Sequence, residues 1–211
     1  MVDSAERSRR LGVEPETTAD GRQRWWLHGA TDHQQEQALE VGLTEVRRLH
    51  QMRRPLPIEE TTDLLVRPFD PDRDVDAWLD VNNRAFAFHP DQSNWTPAIL
   101  EGRMREPWFA LDDFLVHDGS DGVIDGFCWT KVHRDQDREL GEIYVIGAAP
   151  ERHGTGLGRA LVVAGLDHLW SAHRTPVGML YVEADNEPAI RLYLKLGFTV
   201  HADDIAYEAT S

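Results

Sequence analysis

The segment His153-Gly154-Thr155-Gly156-Leu157-Gly158 sets three glycines at alternate positions, just behind Pro150 and ahead of an apolar-periodic run. Glycine lets a backbone come close to a ligand, and the free amides at a helix start point at an anion. Arg152 and Arg159 flank the turn with positive charge. The spacing fits a seat for a phosphate or diphosphate, and it also fits an ordinary glycine-rich turn. A Walker loop is excluded because no Lys-Ser/Thr follows Gly158. A dinucleotide fingerprint is excluded by its different glycine spacing and by Pro176-Val177-Gly178-Met179-Leu180, which lacks the acidic residue a ribose needs. Cys128 is the one cysteine. As an acyl-carrying nucleophile it would need a base such as His133, but strand alternation puts the two on opposite faces, so a small buried strand residue is expected. The ten histidines contain no His-x-x-x-His pair on a helical pattern, so no catalytic metal is expected.

The elements that must hold these residues can be read from pattern. Residues 1–20 are polar and fit a short frayed helix. Trp25-Trp26-Leu27-His28 is strand-prone, Thr31-Asp32 fits a helix N-cap, Gly42 stops that helix, and Leu43 to Met52 is extended again. Arg53-Arg54-Pro55-Leu56-Pro57 opens a linker at about 54–63. Leu64 to Arg67 then reads as a short strand, Asp70 to Ala87 as a helix, and Thr96-Pro97 as the start of another. Phe114 to His117 and Val123 to His133 flank a turn, Asp118-Gly119-Ser120-Asp121-Gly122, as in a hairpin. Leu140 to Ala149 is a strand, Arg159 to Ala172 a helix, Val177 to Val182 a strand, Asn186 to Leu196 a helix stopped by Gly197, and Phe198 to Tyr207 a strand. Strand, glycine turn, helix, strand implies a crossover with some parallel pairing, hence an α/β fold.

Of 211 residues, 41% are hydrophobic, enough for one core with an appendage. The net charge of −15 argues against a nucleic-acid or anionic-membrane surface. A single cysteine excludes an internal disulfide framework, and no run resembles a secretory leader or a membrane span, so a cytoplasmic protein is expected. A faint internal repeat has an offset of 155 (197 − 42 for Gly42 and Gly197). Leu39 then falls on Leu194, Thr44 on Thr199 and Trp26-Leu27 on Tyr181-Val182.

Asn186-Glu187-Pro188-Ala189-Ile190-Arg191-Leu192-Tyr193-Leu194-Lys195-Leu196-Gly197-Phe198 resembles the Asn-x-x-Ala-x-x-x-Tyr-x-x-x-Gly-Phe signature of the GNAT family of acetyl-CoA-dependent N-acetyltransferases. His153 to Gly158 resembles that family's pyrophosphate loop, with His153 where Gln or Arg is usual. The resemblance covers about 63–211. Within the family, Gly126 to His133, Gly141 to Gly147, Leu180 to Asn186, His89-Pro90-Asp91-Gln92 and Glu106-Pro107-Trp108-Phe109 look like the second, catalytic domain of the mycothiol synthases, which are tandems of two such domains. Residues 21–53 look like the closing strand–helix–strand of the first domain, either in an N-terminally truncated form or in a shorter member. With Ala38 at the place of Tyr193 and no glycine loop, that piece reads as inert.

The resemblance implies a GNAT fold with a mixed sheet, helices on both faces and a preceding strand–helix–strand appendage. It divides the chain into 1–57 and a catalytic domain at 63–211. It also implies transfer of acetyl from acetyl-CoA to the cysteinyl amine of cysteinyl-glucosaminyl-inositol, in a monomer or weak dimer without nucleic-acid or membrane partners. Glu142 would be the base, acting through water on an amine whose proton is held with a pKa near ~7.7–8.0. Tyr193 would protonate the departing thiolate. Coenzyme contacts fall to Ile146, Gly147, Ala148, His153, Gly154, Thr155, Gly156, Leu157, Gly158, Arg159, Asn186 and Arg191, and acceptor contacts to Asp91, Lys131, Glu142 and Tyr181. Asp91 stands where a Glu is usual. Read without the family, Glu142 is a strand carboxylate pairing with Lys131, Tyr193 a core tyrosine, Lys131 a solvated lysine and Asn186 a helix cap. A GNAT enzyme for another amine, or a non-catalytic acetyl-CoA-binding module, are the rivals. The appendage, missing its partner strands, is expected to pack on the main domain or on a second chain.

Overall fold

The computed structural model describes residues 3–18, 20–87, 92–134 and 139–209. Contacts group the chain into two units, residues 1–53 with 181–211, and residues 54–180. The boundary expected from the sequence, at 57/63, places 181–211 with the second part.

In the first unit, α1 (Ser4–Leu11) begins at an Asp3 cap and ends at Gly12, which has positive φ. Strands β1 (Glu16–Thr17) and β2 (Gln23–Leu27) precede α2 (Asp32–Glu40) and β3 (Leu43–Pro55). Thr31 and Gln34 form a reciprocal capping box at the start of α2, satisfying two otherwise orphaned amides. The strand order is β1-β2-β9-β3, all antiparallel, β9 being Thr199–Ala209. The edges expected to be bare in the appendage are therefore covered by β9, which lies between β2 and β3. Trp25, Leu27, Ala38, Val41, Leu43, Ile205 and Tyr207 form the core of this unit, with Leu11 from α1. Trp25 Nε1 donates to Ser8 Oγ at 3.2 Å, so α1 is a packed element rather than a frayed one.

The repeat is visible in the pairing itself. The segment α2–β3 and the segment α6 (Glu187–Lys195)–β9 match element for element at the offset of 155. In the β3·β9 ladder Leu49 pairs with Asp204 (204 − 49 is again 155), and register shifts at Glu45/Arg47 and Gln51/Met52 flank that pair. The residues skipped there, Val46 in β3 and His201 in β9, are also 155 apart. A local two-fold axis thus passes through the Leu49–Asp204 pair.

The second unit holds β4 (Arg67–Pro68), α3 (Val75–Ala85), α4 (Pro97–Met104), β5 (Phe114–Asp118), β6 (Ile124–His133), β7 (Leu140–Ala148), α5 (Leu157–His173) and the start of β8 (Val177–Glu183). The order is β8-β7-β6-β5-β4, with β7·β8 parallel and the other pairs antiparallel. The predicted strand at 64–67 shrinks to Arg67–Pro68, because only these two residues pair with β5, and Pro68 ends the edge. The helix expected from Asp70 starts at Val75. The buried Asp74 carboxylate takes the Asp70 amide and the Arg67 guanidinium, and this holds the preceding residues in a turn. Helices lie on both faces of these strands. Trp78 of α3 packs on Phe127 and Trp129. On the other face α5 comes so close at Gly165 that an added Cβ would run into Cys128 Sγ. Cys128 is fully buried and burial pushes its thiol up to about 12, which fits a packing residue and not a nucleophile.

Candidate active site

β6 and β7 pair from Gly126↔Ala148 to His133↔Leu140, but the register shifts between Trp129↔Val145 and Thr130↔Ile143. Tyr144 is the extra residue, a β-bulge that bends β7. The parallel β7·β8 ladder runs only from Leu140 to Ile143, ending where the bulge begins, whereas β7 continues to Ala148. The backbone of Ile146, Gly147 and Ala148 thus lies beyond that ladder, on the side where an extended ligand could add as a strand.

The bulge also keeps Glu142, Tyr144 and Val145 on the face that carries Lys131 and Trp129. Lys131 and Glu142 are directly opposite in register. Their side chains nonetheless choose other partners. Lys131 Nζ sits 4.7 Å from the Trp108 ring centre and 5.6 Å from that of Tyr144, a cation–π arrangement. Glu142 is buried, and its Oε2 lies 2.7 Å from His133 Nε2. The expected pairing of Glu142 with Lys131 is therefore replaced by one with His133. In the sequence His133 is weighed only as a base for Cys128. Its position two residues beyond Lys131 on the same strand face was the signal that it could reach Glu142. Burial also pushes the Tyr144 hydroxyl upward, in keeping with its place among Trp108 and Trp129.

Beyond β7, the turn Pro150–Arg152 leads into the glycine loop. Gly154 and Gly156 have φ of +76° and +92°, a region side chains rarely adopt, and a Cβ at Gly154, Gly156 or Gly158 would meet open space. α5 starts without a side-chain cap, so its first amides face outward from an open cradle. That suits a diphosphate, held by amides and the helix dipole. His153, Thr155 and Arg159 are exposed around it, and Leu157 is buried beneath it. Arg152 is tied to Asp125 at 3.2 Å.

Glu142, Lys131, Ile146 to Ala148 and the loop from His153 to Arg159 all belong to the second unit. Tyr181, Asn186, Arg191 and Tyr193 belong to the first. Asn186 is the N-cap of α6, accepting from the Ala189 amide at 3.3 Å. Arg191 pairs with Glu187 at 2.8 Å, one turn back. Tyr193 is buried and tilted against Phe198 at 5.8 Å. Tyr181 is exposed and its hydroxyl accepts from Gln51 Nε2 at 2.6 Å. Asp91 lies outside the described residues.

Residues 66–198 match the family model described as Acetyltransferase (GNAT) family. The chain belongs to the GNAT acetyltransferase family. A relative from Streptomyces griseus subsp. griseus, named mycothiol acetyltransferase, is 43% identical over 209 residues, covering 96% of this chain and 67% of the relative. A relative of the same name from Acidimicrobium ferrooxidans is 49% identical over 174 residues, 78% of this chain and 55% of the relative. The GNAT chain described here thus spans about two thirds or less of the length of such relatives. Among solved structures, a GCN5-related N-acetyltransferase from Sphaerobacter thermophilus superposes with a TM-score of 0.66 at 21% identity, covering 87% of this chain and 58% of that one, and shows the GNAT fold. GNAT acetyltransferases draw on acetyl-CoA, and the open glycine cradle has the donor set for its diphosphate. Among the described residues, no helix is long and apolar enough to cross a membrane.

Proposed function

We propose that this chain transfers acetyl from acetyl-CoA to the cysteinyl amine of cysteinyl-glucosaminyl-inositol, giving mycothiol. The observation that carries the reading is the 43% identity over 96% of the chain to a relative named mycothiol acetyltransferase. Residues 63–211 form the catalytic domain in this reading, and 1–57 derive from a preceding GNAT-like copy.

Acetyl-CoA supplies a thioester. The glycine loop and Arg159 hold its diphosphate, and the backbone of Ile146 to Ala148 takes its pantetheine arm, with Asn186 and Arg191 assisting. Lys131, Tyr181 and Asp91 hold the polyol by fixed polar contacts. Glu142 accepts the proton that the amine sheds as its nitrogen bonds to the thioester carbonyl carbon. The C–S bond then breaks, and Tyr193 hands its phenolic proton to the departing sulfur. Direct attack needs no acyl-enzyme, in keeping with the inert thiol of Cys128.

The test is thiol release from acetyl-CoA with a panel of amines. The cysteinyl pseudo-disaccharide should outrun polyamines, aminoglycosides and peptide N-termini. Glu142→Gln should lower its kcat/KM by ~10²–10⁴. Turnover of a different amine with none of this acceptor would reject the substrate. Acetyl-CoA binding without thiol release for any amine would reject the enzyme reading.

A further inference from the structure

At the far end of α5 from the glycine loop, His168 and His173 bring their Nε2 atoms to one oxygen of Asp113, at 2.7 and 2.5 Å. Both imidazoles and the carboxylate are largely buried, and the two rings meet edge-on at 5.6 Å. The three donor atoms lie within 4.8 Å of one another. Asp113 is rigidly placed: its amide bonds to the Ala110 carbonyl, and its own carbonyl accepts from Thr130 Oγ1 at 3.0 Å. A groove of about 640 Å³ opens beside His168, with Asp112 and Asp167 on its walls and Glu60, paired with Arg54 at 3.3 Å, at its rim. None of these residues is among those assigned above to acetyl transfer.

We propose that Asp113, His168 and His173 bind a divalent transition-metal ion of the zinc type. Two imidazole nitrogens and one carboxylate oxygen favour Zn²⁺ and Co²⁺ over Mg²⁺ and Ca²⁺. A tetrahedral ion with bonds of ~2.0–2.2 Å holds its ligand atoms ~3.3 Å apart, so the carboxylate must ease back from the two nitrogens by under ~1 Å, and the two nitrogens, within 4.8 Å of one another, must settle at about that same spacing by small turns of the rings. Each Nε2 gives up its proton as the metal bond forms: a neutral ring moves it to Nδ1, a charged ring loses it to solvent. Water from the acidic groove fills the remaining position. At ~1.5 Å rise per residue, α5 sets His168 and His173 ~17 and ~24 Å from the start of the helix at the glycine loop, so the ion's role in this proposal is structural. It fastens the end of α5 to the turn ahead of β5.

Untagged protein, stripped with a chelator, is titrated at neutral pH with Zn²⁺ by calorimetry and with Co²⁺ by visible absorption. The expected result is saturable one-to-one binding, with the intense visible bands of a four- or five-coordinate Co²⁺ centre and a raised Tm. His168→Gln and His173→Gln should each weaken binding at least tenfold, and together abolish it. Circular dichroism checks folding, and if the double variant does not fold, the single variants carry the comparison. Absence of saturable binding, or binding undiminished in both single variants, overturns the proposal and leaves Asp113 as a hydrogen-bonding clamp alone.

Discussion

The segments α2–β3 and α6–β9 are two versions of one design, and they differ in what each has kept. Both begin at a side-chain N-cap, Thr31 or Asn186, and both turn at a glycine of positive φ, Gly42 at +75° and Gly197 at +76°. They even share the paired bulges about Leu49 and Asp204. Only the second carries a tyrosine on its helix. At the equivalent place the first has Ala38, fully buried against its own cluster. Features that hold the backbone persist in both copies, while the group able to donate a proton is present in one. Arg48 and Asp203 also occupy equivalent places, with opposite charge, and pair with one another at 2.6 Å. The copies are no longer interchangeable.

Tyr193→Phe should have the largest effect of the changes that probe this contrast, lowering kcat by ~10–10² while Tm stays near wild type, as steady-state thiol release and a melt would show. A wild-type rate would leave the second copy as structural as the first. Ala38→Tyr overfills a packed site and should cost ~1–3 kcal/mol in urea unfolding, with kcat in the surviving protein unchanged. Should Tyr fit there without loss, Ala38 is not a packing constraint. Gly42→Ala and Gly197→Ala place a side chain at positive φ and should each cost ~1–2 kcal/mol; an effect at only one would break the structural equivalence.

The smallest expected effect is electrostatic. Burial opposes ionisation of Asp203, but hydrogen bonds from His50 and Arg48 outweigh it and hold the carboxyl below the ordinary range. A depressed folded-state pKa stabilises above the unfolded value of ~3.9, and that contribution fades as pH falls through the folded value. Asp203→Asn should therefore cost ~1 kcal/mol at neutral pH and progressively less in acid, read from urea midpoints across pH. A gap that does not narrow in acid would remove the ion pair from the account.

How much of this was legible follows the range of the interactions. The Thr31 cap, the Gly42 and Gly197 stops, the Thr96-Pro97 start and the hairpin around Gly122 are set by residues a few positions apart, and they read directly. The exchange of β9 into the first unit did not, because strand periodicity says which face a residue takes and nothing about its neighbour. The glycine loop and Glu142 could be named from spacing and resemblance. The pairing of Glu142 with His133 and the seat of Lys131 on Trp108 and Tyr144 depend on a bulge that no local pattern announces. The meeting of Asp113 with His168 and His173 spans 55 and 60 residues, and only the folded chain brings them together.

The position of β9 between β2 and β3 has a consequence for biogenesis. Arg24 and its ladder partner Glu208 are 184 residues apart. On a ribosome, Trp25 and Leu27 emerge long before their partner strand and stay uncovered until β9 has been translated. A premature stop before Thr199 would leave those apolar residues without their partner strand, and a chaperone able to shield them in the interval would set the yield of native enzyme.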